Sequence, residues 1–155
     1  MAIDDNFMRR CLELGRIALD GGDAPVGSLI LFEGEILTEG VESVKSHFDP
    51  TAHAEMLAVK SACEKLKTLD LSGTALYTNV EPCVMCAFAI RQTGISTVVF
   101  GMSNNRVGGA NSKFDVLSDP GFPAKFPPPE IRINILPEEC RKLWREFQER
   151  RSKRQ

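Results

Sequence analysis

The apolar residues of this chain change their spacing several times, and this alternation constrains the fold more than any other feature of the sequence. Apolar positions recur with a helical period in four segments, 6–19, 51–66, 83–91 and 137–151. Short runs typical of strands occupy 26–32, 35–39, 75–80, 96–101 and 132–135. This order predicts an α/β fold in which helices cover both faces of a central sheet. A hairpin signal at Glu33-Gly34 predicts a mixed rather than a parallel sheet, and Thr51 or Asp49 is the expected N-cap of the second helix.

The chain length and the charge distribution set the expected organisation. The 155 residues fit one domain, which we take to span 1–155. Segment 102–130 is rich in Gly, Asn and Pro, which predicts a rigid, extended connection over the surface. Segment 137–155 predicts a basic helix, because its last 15 residues carry seven Lys or Arg against two Glu. Such a tail indicates either a polyanionic partner or a solvated helix end, and charge alone does not separate the two.

The composition, with 43% hydrophobic and 26% charged residues, is typical of a globular protein with a core. Five cysteines and an N-terminus without an export signal predict a reducing, cytoplasmic location and no disulfide framework. The longest apolar runs, such as 28–32, are far shorter than the roughly 20 residues that cross a bilayer. We therefore expect no membrane partner.

Two cysteines at the start of a predicted helix form the motif Pro82-Cys83-Val84-Met85-Cys86. Residues three apart share one helix face, and the positive end of the helix dipole favours their thiolates. After a predicted strand, CxxC is typical of a thioredoxin-like redox pair, and it is also typical of half a structural zinc site. The motif by itself leaves both interpretations open.

His53 and Glu55 form a second cluster, at the start of another predicted helix. His53, Cys83 and Cys86 together supply three ligands of the softness that Zn²⁺ prefers. The other cysteines lie on apolar helix faces, so a fourth protein ligand is not evident (Cys11, Cys63 and Cys140). Three protein ligands leave one coordination position open, which is typical of a catalytic zinc that binds water. Glu55 is then placed to take the proton from that water rather than to bind the metal.

These two motifs, H-x-E at 53–55 and P-C-x-x-C at 82–86, make the sequence similar to the zinc deaminases of nucleobases and nucleosides. The similarity is close in the branch that contains bacterial tRNA adenosine deaminases, guanine deaminases and yeast-type cytosine deaminases. It continues through APVG at 24–27, DPTAHAE at 49–55, Leu76-Tyr77 and VVFG at 98–101. It covers most of the chain, from about residue 7 to residue 147.

The resemblance implies a three-layer α/β/α sandwich around a mixed sheet of about five strands, the cytidine deaminase-like fold, usually as a homodimer. It implies one Zn²⁺ per chain on His53, Cys83 and Cys86. In the implied reaction Glu55 deprotonates the zinc-bound water, and hydroxide attacks the ring carbon that bears the amino group. Glu55 then passes protons to the ring nitrogen and to the leaving ammonia.

Four positions are candidate substrate-binding residues, and two of them depart from the pattern of the branch. Val26 and Ala54 lie within the matched stretches. Glu42 falls where relatives usually carry an asparagine that bonds the substrate ring. If Glu42 lines the pocket, its carboxylate favours an edge that presents N–H groups, as in guanine-like rings, pterins or triazines, and disfavours an edge of bare ring nitrogens, including that of adenine, unless it is protonated. Otherwise Glu42 ends a hairpin and points to solvent. Asn104 falls where relatives that act on tRNA often carry an acidic residue.

The sequence features that bear on the substrate conflict. VGGANS at 107–112 and the basic last helix resemble the tRNA enzymes, but the rest of the chain is acidic. Aromatic residues for stacking are few, and most phenylalanines fall in the predicted core or in the Pro-rich loop, where Phe122 and Phe126 are candidates for a lid. We therefore predict a hydrolytic deaminase of a free nucleobase, nucleoside or related small heterocycle. The alternatives are a tRNA-specific adenosine deaminase, and a non-catalytic zinc scaffold or CxxC redox protein.

Overall fold

Five strands and four helices make up the fold in a computed structural model that describes residues 2–154. The strands are β1 (Gly27–Phe32), β2 (Glu35–Val41), β3 (Ala75–Val80), β4 (Thr97–Met102) and β5 (Glu130–Arg132). The helices are α1 (Ala2–Asp20), α2 (Ala54–Leu66), α3 (Val84–Thr93) and α4 (Pro137–Lys153). The strands form one sheet in the order β2-β1-β3-β4-β5, in which β1 is antiparallel to β2 and β3 whereas β3, β4 and β5 are parallel. The predicted α/β fold with a mixed sheet is confirmed.

Helices cover both faces of this sheet because side chains along each strand alternate between the two faces. On β1, Ile30 packs into the core formed with α2 and α3, whereas its neighbour Leu29 packs into the core formed with α1 and α4. On β4, Val98 and Val99 divide between the two cores in the same way. The result is a three-layer sandwich. Within residues 2–154, the helices are all too short or too polar to span a membrane.

Helix α2 begins at Ala54, later than predicted, because Asp49 holds the preceding residues in a turn. The Asp49 carboxylate accepts hydrogen bonds from the backbone nitrogen and the hydroxyl of Thr51, at 2.9 and 2.7 Å. The N-cap is His53, whose side chain makes no capping hydrogen bond. The prediction that Thr51 or Asp49 caps the helix is therefore wrong, and a candidate metal ligand occupies the helix start itself.

The last strand lies earlier than predicted, at Glu130–Arg132 instead of 132–135. Beyond it the backbone turns left-handed at Asn134 (φ 62°) and Leu136 (φ 51°), conformations that a strand does not contain. These two residues end the pairing with β4 and lead directly into α4.

Segment 103–130 is more than a surface connection, because a buried arginine of α3 binds it from within. Arg91 is fully buried, and one guanidinium nitrogen donates to the carbonyl oxygens of Val116 and Asp119 at 2.7 and 2.9 Å. Leu117, between them, is also fully buried in the core with α2 and α3. The prediction of a connection that only crosses the surface is therefore wrong for this part of the segment.

The two phenylalanines proposed as a lid pack against α3. The ring of Phe122 lies 5.9 Å from that of Phe88 in an edge-on arrangement. The ring of Phe126 covers Gly94 at the C-terminal end of the helix, so closely that a Cβ there would overlap it. The lid hypothesis is therefore wrong for Phe126, which lies at the end of α3 opposite to the CxxC motif. For Phe122, whose partner Phe88 is two residues past Cys86, it stays a prediction.

Glu81, the residue between β3 and the CxxC motif, organises the first part of the same segment. Its side chain is buried, with 1% of the residue exposed, and its carboxylate accepts hydrogen bonds from the backbone nitrogens of Asn104, Ala110 and Asn111 at 2.9–3.1 Å. The amide of Asn111 adds a fourth at 2.8 Å. Gly108 passes so close that a Cβ would overlap the Glu81 carboxylate. A single buried carboxylate therefore determines the path of the loop after β4.

We expect Glu81→Gln to lower the free energy of unfolding by about 1–3 kcal/mol, because the new NH₂ group would face N–H donors and leave at least one of them without an acceptor. Urea titration measures this change, and limited proteolysis should show earlier cleavage within 103–119. Asp115→Asn is the matched control, because this exposed carboxylate of the same loop accepts one bond, from the nitrogen of Ser118. Equal losses in the two variants would contradict the role given to Glu81.

Candidate metal and active site

The two motifs meet where α2 and α3 begin, and three side chains converge there. His53 is the N-cap of α2, Cys83 is the N-cap of α3, and Cys86 lies one turn into α3. The Nδ1 atom of His53 lies 3.5 Å from each sulfur, and the two sulfurs are 3.8 Å apart. A tetrahedral Zn²⁺ with bonds of about 2.3 Å to sulfur and about 2.0–2.1 Å to nitrogen requires edges of about 3.5 and 3.8 Å. The three side chains therefore fit three of the four positions around a tetrahedral zinc ion.

The charge in this cluster is shared unequally between the two cysteines. A hydrogen bond from the Cys86 thiol, together with one from His53, lowers the pKa of Cys83 to about 4. The same contact with Cys83, together with burial, raises the pKa of Cys86. The hydrogen bond to Cys83 also raises the pKa of His53, to about 9. The cluster thus favours negative charge on the sulfur of Cys83, and a thiolate is the form of cysteine that binds a metal cation.

Glu55 lies beside the three ligand atoms, in the first turn of α2, and is 4% exposed. One carboxylate oxygen, Oε1, accepts a hydrogen bond from the hydroxyl of Thr78 on β3 at 3.2 Å, and Oε2 lies 3.6 Å from the sulfur of Cys86. Burial raises the pKa of Glu55. The carboxylate is therefore held next to the ligand set, in a buried position that favours its protonated form.

Glu42 faces the same pocket, so the interpretation that it points to solvent is wrong. The residue is 8% exposed, and its Oε1 accepts a hydrogen bond from the backbone nitrogen of Ala54 at 2.8 Å. It also has a carboxylate oxygen within 4.8 Å of ligand atoms of His53 and Glu55. Burial and the nearby charge of Glu55 raise the pKa of Glu42 to about 7. Two carboxylates therefore line one small, poorly solvated space.

The other candidate substrate-binding residues surround this space in different ways. Val26 and Ala54 are buried and pack with Val80, so they form an apolar wall beneath the pocket. The Asn104 side-chain oxygen accepts from the backbone nitrogens of Arg106 and Val107, both at 3.3 Å, and so shapes its own loop. Contact of any of these residues with a substrate remains a prediction.

A cleft of about 480 Å³ lies between the loop after β4 and α4, and sequence reasoning missed it. It is lined by Val80 and Met102 at the strand ends, by Asn104 of the loop, and by Trp144 and Arg151 of α4. Met102 and Trp144 also pack against the apolar wall beneath the pocket. The cleft is therefore adjacent to the candidate site. In the sequence, the helical period of α4 is the signal that could have indicated part of this cleft, because Trp144 and Arg151 are seven residues apart and so share one face.

Comparison with known proteins separates the alternatives that the sequence left open. The sequence-family model of the cytidine and deoxycytidylate deaminase zinc-binding region matches residues 1–102. The tRNA-specific adenosine deaminase of Aquifex aeolicus is 42% identical over 114 residues, which are 74% of this chain and 76% of that protein.

Two solved structures share the fold. One, from a study of A-to-I editing by tRNA:A34 deaminases at the wobble position, has a TM-score of 0.82 and 28% identity over 89% of this chain and 98% of its own. The guanine deaminase of Nitrosomonas europaea has a TM-score of 0.79 and 25% identity over 94% of this chain and 84% of its own.

The prediction of a small free heterocycle as the substrate is contradicted by these findings, because the 42% identical relative and the structure with the higher TM-score are tRNA deaminases. The non-catalytic scaffold and the redox protein are excluded as well, since the matched family consists of zinc-dependent deaminases. The enzyme is a hydrolase that removes an amino group from a ring carbon, with Zn²⁺ as its cofactor. The chain belongs to the cytidine and deoxycytidylate deaminase family of zinc-binding proteins.

Proposed function

We propose that this enzyme converts adenosine to inosine in the anticodon loop of a tRNA. The observation that carries the proposal is the likeness to tRNA adenosine deaminases in both sequence and structure. The reaction consumes one water, breaks the bond between ring carbon C6 and its amino nitrogen, and releases ammonia. The homodimer implied by the resemblance and the cytoplasmic location remain predictions.

The side chains of the candidate site have distinct roles in this reaction. His53, Cys83 and Cys86 would hold Zn²⁺, which supplies the Lewis acidity that activates water near neutral pH. Glu55 takes a proton from the attacking water and delivers it to the ring nitrogen next to C6. It then carries the second proton to the departing amino group. The Thr78 hydroxyl holds Oε1 of Glu55, which leaves Oε2 beside the ligand sulfur of Cys86, 3.6 Å away.

Glu42 has a place in this scheme because adenosine presents one N–H edge, its amino group. Oε1 of Glu42 is already bonded to the nitrogen of Ala54, so Oε2 is the atom that can accept from the substrate. We infer that Oε2 accepts a hydrogen bond from the amino group at C6 and orients it for departure. This assignment reconciles an acceptor-only side chain with an adenosine substrate.

Glu55→Gln should leave zinc bound and lower kcat for inosine formation by about 100- to 10,000-fold, because an amide cannot take up the proton. The assay is inosine formation in a synthetic anticodon arm, with zinc content measured by mass spectrometry. Glu64→Gln, at an exposed position of the same helix, should retain wild-type activity. A Glu55→Gln variant as active as this control would remove Glu55 from the mechanism.

Cys86→Ser should lose most of the zinc, and chelation of the wild type should lower its melting temperature, because a metal that binds only the folded state stabilises that state. The wild type should contain about one zinc per chain. Cys63→Ser, outside the cluster, should retain both zinc and melting temperature. Full zinc content in Cys86→Ser would show that the metal is bound elsewhere.

Glu42→Gln should lower kcat/KM about tenfold, because the amide nitrogen would meet the amino group of adenosine donor to donor. The measurement uses the same anticodon arm at saturating zinc. An unchanged or higher kcat/KM would place Glu42 against a ring nitrogen instead of the amino group.

A further inference from the structure

Phe48 is the most exposed large apolar side chain in the described part of the chain, and its backbone is unfavourable as well. The residue is 94% exposed, whereas every other exposed large apolar residue within 2–154 is covered to a greater extent. Its φ angle is +52°, in the left-handed region that residues with a Cβ rarely adopt. The exposed ring and the left-handed backbone each raise the free energy of the folded state. Burial of Phe48 within the protein does not offset this cost. Such local costs are typical of functional positions.

The loop that carries Phe48 is held in place by hydrogen bonds to a buried carboxylate and within its own backbone. The Asp23 carboxylate, 3% exposed, accepts from the backbone nitrogens of Lys45 and Ser46 at 2.7 and 3.1 Å. The nitrogen of Asp49 donates to the carbonyl oxygen of Val44 at 3.1 Å, which closes a turn around the ring-bearing residue. The exposed ring is therefore presented on a fixed backbone.

Both ends of this loop belong to the candidate active site. It leaves the sheet at Glu42, whose carboxylate accepts from the nitrogen of Ala54, and it ends at the candidate zinc ligand His53. The nitrogen of Ser43 also donates to the carbonyl oxygen of Ala52 at 3.0 Å, which closes the base of the loop. The loop thus rises from the rim of the pocket, with Phe48 near its tip.

We propose that Phe48 stacks on an unpaired nucleobase next to the adenosine that is deaminated. This inference rests on the proposed function. A base enters such a pocket only after leaving its stack, and its neighbours in the strand then expose their own faces. A phenylalanine ring on a fixed loop offers a flat apolar face to a neighbouring base, and the exposed side chains of Lys45 and His47 beside it can donate to phosphate oxygens.

An RNA strand suits this position better than a second copy of the chain. A contact between protein copies surrounds its central aromatic residue with other apolar side chains. The neighbours of Phe48 from Lys45 to His47 are instead polar or charged and exposed. A lone aromatic residue with cationic and polar neighbours is the pattern of single-stranded nucleic-acid binding sites.

The first test compares three variants on a synthetic anticodon arm. Phe48→Ala should lower kcat/KM for inosine formation about tenfold or more, and Phe48→Tyr should retain it within about threefold. Phe48→Gly should lose as much activity as Phe48→Ala, yet its melting temperature should equal or exceed that of the wild type, because glycine accepts a positive φ without strain. A merely structural role would instead lower stability and activity together.

Leu69→Ala is the matched control. Leu69 is 77% exposed and lies past the far end of α2, a helix of 13 residues that separates it from His53 by about 20 Å. Its kcat/KM should equal that of the wild type.

The second test identifies the stacked base with RNA arms that carry an abasic site at each position flanking the target. At the position that Phe48 contacts, the abasic site and Phe48→Ala should each lower kcat/KM, and the two changes together should lower it no further. If Phe48→Ala acts with undiminished effect on every abasic arm, the stacking proposal is wrong.

Three other outcomes would each show that Phe48 does not stack on a base. Inosine formation by the wild type with equal kcat/KM in Phe48→Ala overturns this inference and leaves the proposed function in place. Absence of inosine with the zinc-loaded wild type overturns the proposed function, and this inference with it. A change in the sedimenting mass of Phe48→Ala at wild-type kcat/KM makes the ring a contact between copies, which also overturns the inference.

Discussion

The first turn of α2 lies directly on β2, and the candidate site depends on that contact. Gly40 makes it possible, because a Cβ at this position would overlap the carbonyl oxygen of Ala54 and lie 3.1 Å from the nitrogen of Ala58. The hydroxyl of Thr38, two residues away on the same strand face, donates to the carbonyl oxygen of Ala58 at 2.9 Å. This close approach sets the height of His53 and Glu55 above the sheet. Any side chain at residue 40 would move the metal ligand and the proton carrier together.

The zinc ligands and Glu55 could be predicted from sequence because their relations are local. An i, i+3 cysteine pair at a helix start and an H-x-E triplet each define their own geometry, so the fold only has to bring two helix ends together. Glu81 and Asp23 could not be found in this way. Their roles depend on backbone amides more than 20 residues away, and each looks in the sequence like an ordinary acidic residue beside a proline or a glycine.

The substrate was predicted wrongly because the charge and the aromatic content of the whole chain were taken to describe the site. The acidic body outweighed the basic tail in that argument, yet several acidic residues of the body are paired with arginines on the surface, such as Asp20 with Arg150 and Glu39 with Arg10. The phenylalanines were assigned to the core or to the Pro-rich loop from their spacing. Phe48 belongs to neither group. Only the folded chain shows that its ring is exposed to solvent, on a loop whose two ends line the pocket.

The loop after β4 is attached to the end of β3 largely through its own backbone amides, three of which are bound by the one carboxylate of Glu81. Its path therefore depends little on most of the side chains that it exposes, whereas Asn104, Gly108, Asn111 and the buried Leu117 are each required by a contact described above. Such a loop can exchange its exposed residues through mutation while the metal cluster a few residues away stays unchanged. In evolutionary terms, this arrangement separates the selection of a substrate from the maintenance of the catalytic chemistry.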